Sequence, residues 1–326
     1  MNTVLVTGGA GYIGSHTCKA LAVAGYTPVV YDNLVHGHEW AVRWGQFEHG
    51  DILDRARLDE VIAKYRPEAV IHFAAFAYVG ESVTEPGKYY RNNVGGSLIL
   101  LEAMKHHDIP RIVFSSSCAV YGVPDQVPIT EAAPRRPINP YGMSKMIVER
   151  MLADFERAHG LKWIALRYFN AAGCDPDGEI GEDHRPETHI IPLALEAAAN
   201  GRNRLTVFGD DYDTPDGTCI RDYVHVSDLA DAHVRALRAL ENGMAPRAFN
   251  LGIGKGFSVL ETIHAVQEVT GLEVPFDVGP RREGDPAVLV GNPEAAGHLL
   301  EWKPAFTELA DIVKTAWDWD KSRRSR

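Results

Sequence analysis

Cysteine is scarce in this 326-residue chain. It occurs four times, at Cys18, Cys118, Cys174 and Cys219, and never as a CxxC pair. A chain this long needs no disulfide staples, so reduced thiols and a cytoplasmic setting are expected. No apolar run is long enough to span a bilayer, which excludes a membrane partner of that kind. The chain opens directly on a strand-like segment without a basic, then apolar, leader, so no secretory signal is expected. Positive charge is short too: 33 Lys and Arg against 44 Asp and Glu leave a net charge of -11. That balance disfavours nucleic acid and anionic lipid, and an anionic substrate needs local arginines. The basic run Lys321–Arg326 reads as a solvated tail. The pairs His36-Gly-His38 and His106-His107 have no further ligands at a recognisable spacing, so no metal is expected. There is no internal repeat and no low-complexity stretch.

What is present is ordinary globular composition, 45% hydrophobic and 24% charged, in a length that suits two lobes. Thr3–Thr7 is an apolar run that breaks at Gly8 and reads as a buried parallel strand. A helix follows over 12–24, with Gly25 as its stop, then a strand over 28–32. The alternation continues with helix 58–65, strand 69–73, a long helix 89–107, strand 111–115, a long helix 141–159 and strand 163–167. Strand–helix alternation predicts an α/β fold with a doubly wound Rossmann-type parallel sheet. After Asn170 the texture changes. Residues 171–189 form a Gly- and Pro-bearing loop, followed by helix 190–200, strand 205–208, a polar loop 210–218, helix 229–240 and strand 248–251. The expected division is a dinucleotide-binding domain over 1–170, with a return segment at 222–252, and a smaller C-terminal substrate-binding lobe within 171–326.

The motif Thr7-Gly-Gly-Ala-Gly-Tyr-Ile-Gly14 lies between the first strand and the first helix, with an acid at the end of the next strand. Gly8 and Gly11 allow the backbone to approach a pyrophosphate, and Gly14 allows close helix–sheet packing. The helix N-terminus offers free N–H groups to phosphate. Asp32 is placed to accept from adenosine ribose hydroxyls and to repel a 2'-phosphate, which favours NAD over NADP. Asp51 with Ile52 reads either as an adenine contact or as a helix cap. Phe73-Ala-Ala75 ends the fourth strand, where small residues leave room for a cofactor or simply pack closely.

Tyr141 and Lys145 are four residues apart on one helix face. A cation near a phenol favours the phenolate, as does placement in the first helical turn. A phenolate can take a proton from a sugar hydroxyl. Ser115-Ser-Ser117 ends the fifth strand on the same ligand-binding edge, and Ser117 is the serine chosen as a proton relay. In the second lobe Arg221 and Arg282 are candidates for a pyrophosphate clamp. Asp285 suits a ribose hydroxyl, and Phe208 suits either a base or the core.

At these residues the chain resembles the UDP-galactose 4-epimerases of the extended short-chain dehydrogenase/reductase superfamily. The likeness runs nearly end to end. It includes Asp32-Asn33-Leu34, Gly50-Asp51-Ile52, Val79-Gly-Glu-Ser-Val83, Tyr89-Tyr-Arg-Asn-Asn-Val94, Tyr121-Gly122, Leu166-Arg-Tyr-Phe-Asn170, Gly217-Thr-Cys-Ile-Arg-Asp-Tyr223 and Arg281-Arg-Glu-Gly-Asp285. The resemblance implies that Ser117, Tyr141 and Lys145 are catalytic. It implies that Tyr12, Ile13, Asp32, Asn33, Leu34, His36, Gly37, Asp51, Ile52, Phe73, Ala74, Ala75, Asn92, Ser115, Tyr168 and Phe169 border NAD. Tyr168, Asn170, His189, Thr206, Val207, Phe208, Arg221, Tyr223, Arg282 to Asp285 and Leu289 would border a UDP-sugar. It further implies a homodimer built on the helices near 89–107 and 141–159.

Three positions depart from the family pattern. Ala77 stands where many members carry a lysine, His189 where an asparagine often bonds the diphosphate, and Leu289 where residue size sets the sugar pocket. Phe73–Val79 and Thr218–Arg221 also look like a branch that includes pentose-nucleotide epimerases. The expected reaction is interconversion of UDP-glucose and UDP-galactose through a transient 4-keto sugar, with UDP-xylose/UDP-arabinose epimerisation as the alternative. A nucleotide-sugar 4,6-dehydratase needs an extra acid and base, yet Cys118 and Ala119 stand at those positions. A catalytically silent NAD sensor has no use for the Ser117, Tyr141 and Lys145 set.

Overall fold

The computed structural model describes residues 2–201, 203–282 and 285–324. Strand β1 (Thr3–Thr7) feeds helix α1 (Tyr12–Val23), then β2 (Thr27–Asp32) and β3 (Gln46–His49). Helix α2 (Arg55–Tyr65) and β4 (Ala69–His72) follow, then three short helical pieces, α3 (Val79–Thr84), α4 (Pro86–Tyr89) and, beyond a π-helical segment at Tyr90–Gly96, α5 (Ser97–His106). Next come β5 (Arg111–Ser117), α6 (Pro140–His159) and β6 (Lys162–Tyr168). The long helix expected over 89–107 therefore runs without leaving helical backbone through residue 106, widened to π geometry at Tyr90–Gly96. There Gly96 lets the chain pass over Ile52, because an added Cβ would sit 2.5 Å from that side chain.

These strands, with β11 (Arg247–Leu251), form one seven-stranded parallel sheet in the order β11-β6-β5-β4-β1-β2-β3. The order reverses between β1 and β4, and ligands in such sheets bind at the carboxyl ends beside that reversal. The strands are buried on both faces. One core holds Val4, Val6, Val30, Ile71, Val113 and Leu166, and the other holds Leu5, Val29, Val70, Ile112 and Ala165. This explains their continuous apolar runs.

The remaining elements are β7 (Asn170–Ala172), α7 (Ile190–Asn200), β8 (Leu205–Phe208), β9 (Ile220–Arg221), β10 (Tyr223–His225), α8 (Val226–Glu241), β12 (Phe257–Ser258), α9 (Val259–Thr270), β13 (Phe276–Gly279), β14 (Val288–Leu289), α10 (Glu294–Leu299) and α11 (Leu309–Arg324). Of these, α8 packs back on α1 and α10 on β11 of the large sheet, and the others form the smaller unit. Its short sheets pair β10 with β7, β12 and β14 with β9, and β13 with β8. Ile191, Leu195, Val207, Ile263, Ile312 and Trp319 fill a separate core there. Helix α8 begins at Val226, three residues before its first periodic leucine, because His225 caps it by accepting from the Ser227 N–H.

The basic C-terminal run is not a free tail. Lys321–Arg324 form the last turn of α11, where Arg323 bonds Asp183 at 2.5 Å and Arg324 bonds Asp320 at 2.6 Å. Ser325 and Arg326 lie outside the described residues. Among the described residues no helix is long and apolar enough to cross a membrane.

Candidate active site

The glycine loop meets the end of β4 at contact distance. Gly8 has φ of 73°, and a Cβ there would lie 2.6 Å from the Ala74 nitrogen. A Cβ on Gly14 would lie 2.2 Å from the Gly8 carbonyl oxygen. Only glycine fits either place, so the first turn of α1 sits directly on the loop. Gly11 caps α1 without a side-chain hydrogen bond, leaving the helix N-terminus to serve an anion.

Asp32 is buried at the end of β2 and accepts from the backbone N–H groups of Ala10, at 3.0 Å, and Leu34, at 2.8 Å. Burial raises its pKa, and those two bonds oppose the rise. Leu34 takes a left-handed φ of 60° to make the turn. Asn33 donates to Asp51 Oδ2 at 2.9 Å, and the other Asp51 oxygen accepts from Leu53 N–H. Asp54, not Asp51, caps α2 by accepting from Arg57 N–H, so the capping alternative for Asp51 fails. His36 packs edge-on to Phe76 and Tyr78, and its Nε2 is buried without a hydrogen-bond partner.

Thr7 and His72 join the two central strands, with Oγ1 and Nδ1 2.6 Å apart. Asn93, quoted within the 89–94 motif but given no role, ties the 76 loop to α6. Its amide accepts from Phe76 N–H and donates to the Phe76 carbonyl and to Ser144 Oγ. Asn92 donates to it from the π-helical segment. Only the fold brings residue 93 against residue 144.

Helix α6 starts where Asn139 accepts from Gly142 N–H at 2.8 Å and Pro140 fills the first helical position. Tyr141 therefore falls in the first turn. Lys145, one turn on, is buried against β5, where Nζ donates to the Ser115 carbonyl at 2.9 Å. Nζ also lies 5.1 Å from the Phe114 ring centre and 5.7 Å from that of Tyr141. Burial lowers the Lys145 pKa to about 7. Burial raises the Tyr141 phenol well above its ordinary value; Tyr168 adds to the rise and the Ser117 hydroxyl opposes it. An acidic phenol was expected from the Tyr–Lys spacing, and the chain by itself gives the opposite. The lysine Nζ points at a carbonyl, and burial weakens its hold on its proton. Any lowering at Tyr141 must come from a positive group brought into the crevice.

The three serines of β5 divide their work. Ser115 hydrogen-bonds the Tyr168 hydroxyl. Ser116 turns away and donates to Glu149 at 2.7 Å, where Arg167 and Arg135 also bind. Ser117 faces Tyr141 and accepts from Ala119 N–H at 3.1 Å. Cys118 beside it is buried, and that burial pushes its thiol up to about 12, so it is neither an acid nor a base near neutrality.

In the smaller unit, Arg221 on β9 bonds Asp285 and its own neighbour's carbonyl at Ile220. The Arg282 guanidinium lies 3.9 Å from the Phe208 ring centre. Leu289 pairs with Arg221 across β14 and β9 and packs with Cys118 and Phe169. Thr206 faces solvent and Phe208 is half-buried. Val207 and Tyr223 are buried in the core of this unit, with Tyr223 Oη 3.4 Å from Thr262 Oγ1. Their side chains do not line a crevice, because alternate residues of a strand face opposite ways. Glu283 and Gly284 lie outside the described residues.

Asp222, quoted within the 217–223 motif but given no role, accepts from Ile253, Gly254 and Gly291 N–H groups. It knots β9, β11 and β14 beneath the crevice.

His189 accompanies a wider group. Glu182 is buried, and its carboxylate binds His189 directly, with His184 Nδ1 at 3.1 Å. The carboxylates raise the pKa of His189 and bring that of His184 to about 10 against the effect of burial.

The crevice fits a dinucleotide. It offers a glycine cradle that a Cβ would fill, an uncapped helix end, a buried acid at the end of β2 and an orphaned imidazole nitrogen. A family description for NAD-dependent epimerases and dehydratases matches residues 4–252. The chain belongs to the NAD dependent epimerase/dehydratase family.

Among its relatives, the UDP-glucose 4-epimerase of Rhizobium leguminosarum bv. trifolii is 55% identical over 317 residues, 97% of each chain. A crystal structure of UDP-glucose 4-epimerase from Brucella ovis in complex with NAD superposes with a TM-score of 0.95. The two are 56% identical, and the match covers 97% of this chain and 98% of that one. The UDP-glucose 4-epimerase of Bifidobacterium longum, in complex with NAD+ and UDP, superposes at 0.93 with 38% identity over 99% of both chains.

Proposed function

We propose that this chain is an NAD-dependent UDP-glucose 4-epimerase. The observation that carries the reading is the 55% identity over 97% of both chains with an enzyme of that activity. The crevice chemistry agrees with it. NAD, when bound, would supply the acceptor and donor for the C4 hydride. Everything else falls to the chain. Tyr141 takes and gives back the 4-hydroxyl proton, with Ser117 as relay. Lys145 and Asp32 hold the two riboses of the cofactor, beside Tyr12, Ile13, Asn33, Leu34, His36, Gly37, Asp51, Ile52, Asn92, Tyr168 and Phe169.

Arg221, Arg282 and His189 hold the diphosphate, while Asn170, Thr206, Phe208 and Asp285 seat the nucleoside. Val207 and Tyr223 support that surface from the core. The sugar itself must turn over between the two hydride steps, so it is gripped through UDP and only lightly at the ring, with Leu289 at its wall. Residues 1–170 with 222–252 form the cofactor-binding unit, and most of 171–326 forms the sugar-nucleotide unit. The protein acts in the cytoplasm as a homodimer.

Incubating purified protein with UDP-glucose and following C4 inversion by NMR tests the reading. Equilibration with UDP-galactose without added oxidant is expected. A lasting 4-keto-6-deoxy product identifies a dehydratase, and an unchanged substrate sinks the proposal. Sedimentation equilibrium tests the dimer.

A further inference from the structure

The segment 182–189 brings together four groups that the spacing rules for metal sites do not recognise: Glu182, His184, Glu187 and His189. Each offers one donor atom, and the four donors all lie within 4.8 Å of one another. We propose that they form a four-ligand site for a borderline divalent cation of the Zn2+ class.

His184 is placed as a ligand awaiting an ion, while Glu182 and His189 are closed on each other by a direct hydrogen bond that a bound ion would open. Both imidazoles turn Nδ1 to the same Glu182 oxygen. His184 Nδ1 lies 3.1 Å from it and 3.7 Å from Glu187 Oε1, yet it is buried and makes no aligned hydrogen bond. Donors placed tetrahedrally at zinc distances are separated by about 3.4 Å, between those two values.

The supporting contacts fit as well. Glu187 Oε1 accepts from the backbone N–H groups of Thr188, at 2.7 Å, and His189, at 2.9 Å, which fix its orientation. Tyr12 and Tyr78 stand edge-on to the His184 ring and wall the site. Two carboxylates balance the two charges of the ion, as a largely buried position requires. Mixed imidazole and carboxylate donors select zinc over calcium or magnesium. A cavity of about 420 Å³, lined by Glu182, His184, Glu187, Trp319 and Arg323, opens onto the cluster and supplies an entry path.

A second acidic group nearby shows the contrast. Asp175, Asp177 and Glu179 also cluster, but Lys19 Nζ already occupies their centre at 2.7 to 2.8 Å. At Glu182 and Glu187 the described ion pairs are with histidines alone.

All four ligands lie within the segment 182–189, whose His184 ring stands edge-on to Tyr12 just past the glycine loop, so an ion there would fix the fold of that segment beside the loop. With Nδ1 engaged, His189 keeps its other nitrogen for the diphosphate. That clause rests on the proposed sugar-nucleotide role, whereas the metal site does not.

The test uses the full-length protein with its cofactor, stripped of metal by chelator dialysis and titrated with Zn2+ by calorimetry. Expected is one Zn2+ per chain, weakened on the order of 100-fold or more in His184→Ala and in the near-isosteric Glu187→Gln. Binding should be unchanged in Asp177→Asn and in His107→Ala. Co2+ should give the intense visible absorption of a four-coordinate site, a readout on the wild type that stands if a variant misfolds. Absent saturable binding, binding that survives both substitutions, or only the pale spectrum of six-coordinate Co2+ overturns the proposal. None of these outcomes depends on epimerase activity.

Discussion

The cofactor side and the sugar-nucleotide side of the crevice are organised on opposite plans. On the cofactor side, polar groups are held by backbone groups or by a buried ion pair at the ends of long buried strands. Asp32 is fixed by two N–H groups, Lys145 by the Ser115 carbonyl, and Ser116 by the buried Glu149–Arg167 pair. On the other side, the charged groups hold one another. Arg221 binds Asp285, Arg281 binds Asp211, and Arg282 lies on Phe208. Those residues stand on strands of two to four residues or on the loops between them. A dinucleotide meets a surface already set for it. A sugar nucleotide must take partners away from existing pairs, which costs affinity and allows exchange.

Removing the phenol should break the cofactor side most severely. Tyr141→Phe is expected to cut turnover on the order of 10³-fold while NAD stays bound, read by coupled assay and by cofactor content of the purified variant. Near-native turnover would remove Tyr141 as the base. The opposite side should respond in binding. Arg221→Ala is expected to raise KM for UDP-glucose about 30-fold, from loss of about 2 kcal/mol of charge-assisted bonding, with a smaller change in kcat. A change confined to kcat would mean that Arg221 belongs with the chemistry. Asp32→Ala should relax discrimination against NADP by about tenfold, near 1.4 kcal/mol. An unchanged preference in cofactor titrations would leave Asp32 as a loop brace only.

The mildest probe separates buried from exposed charge by pH. Burial lowers His16 and His233 to about 4, and His72 and His225 to about 3. Each is neutral in the fold, while its unfolded counterpart takes a proton below about 6.5. The stability they contribute is complete above that pH and is lost as pH falls towards 4, at up to about 1.4 kcal/mol per pH unit per proton. Asp222, raised to about 6 by burial, runs the other way and offsets part of the loss. From pH 7 to 8, Lys145, lowered to about 7, adds stability as pH rises while His184, raised to about 10, and His189 lose it; below about 6.5 the melts should fall steadily. A melting temperature indifferent to pH down to 5 would mean that these histidines are already solvated.

Much of the cofactor side was legible beforehand because its signals are local. A strand, a glycine loop and an acid at the next strand's end are all within 32 residues. Tyr141 and Lys145 share one helical turn. What failed or was missed depended on contacts across the chain. The acidity of Tyr141 was read from a neighbour that the fold turns towards a carbonyl. Val207 and Tyr223 were placed at a ligand without knowledge of which strand face is buried. Asn93, Asp222 and the Glu149–Arg167 pair gave no local sign, since the contacts that place them reach 17 to 69 residues along the chain. The set at Glu182, His184, Glu187 and His189 was written plainly in eight residues, but only a turn brings alternating positions to one point.

The sequence by itself determined the parallel sheet, the glycine turn, the acid at the end of the second strand and the pairing of a phenol with a lysine. These follow from periodicity, glycine geometry and charge over short spans. Tertiary structure alone decided which groups are charged and which side chains reach the crevice. Burial and partner choice set ionisation, and both are properties of segments that meet only once the chain has folded.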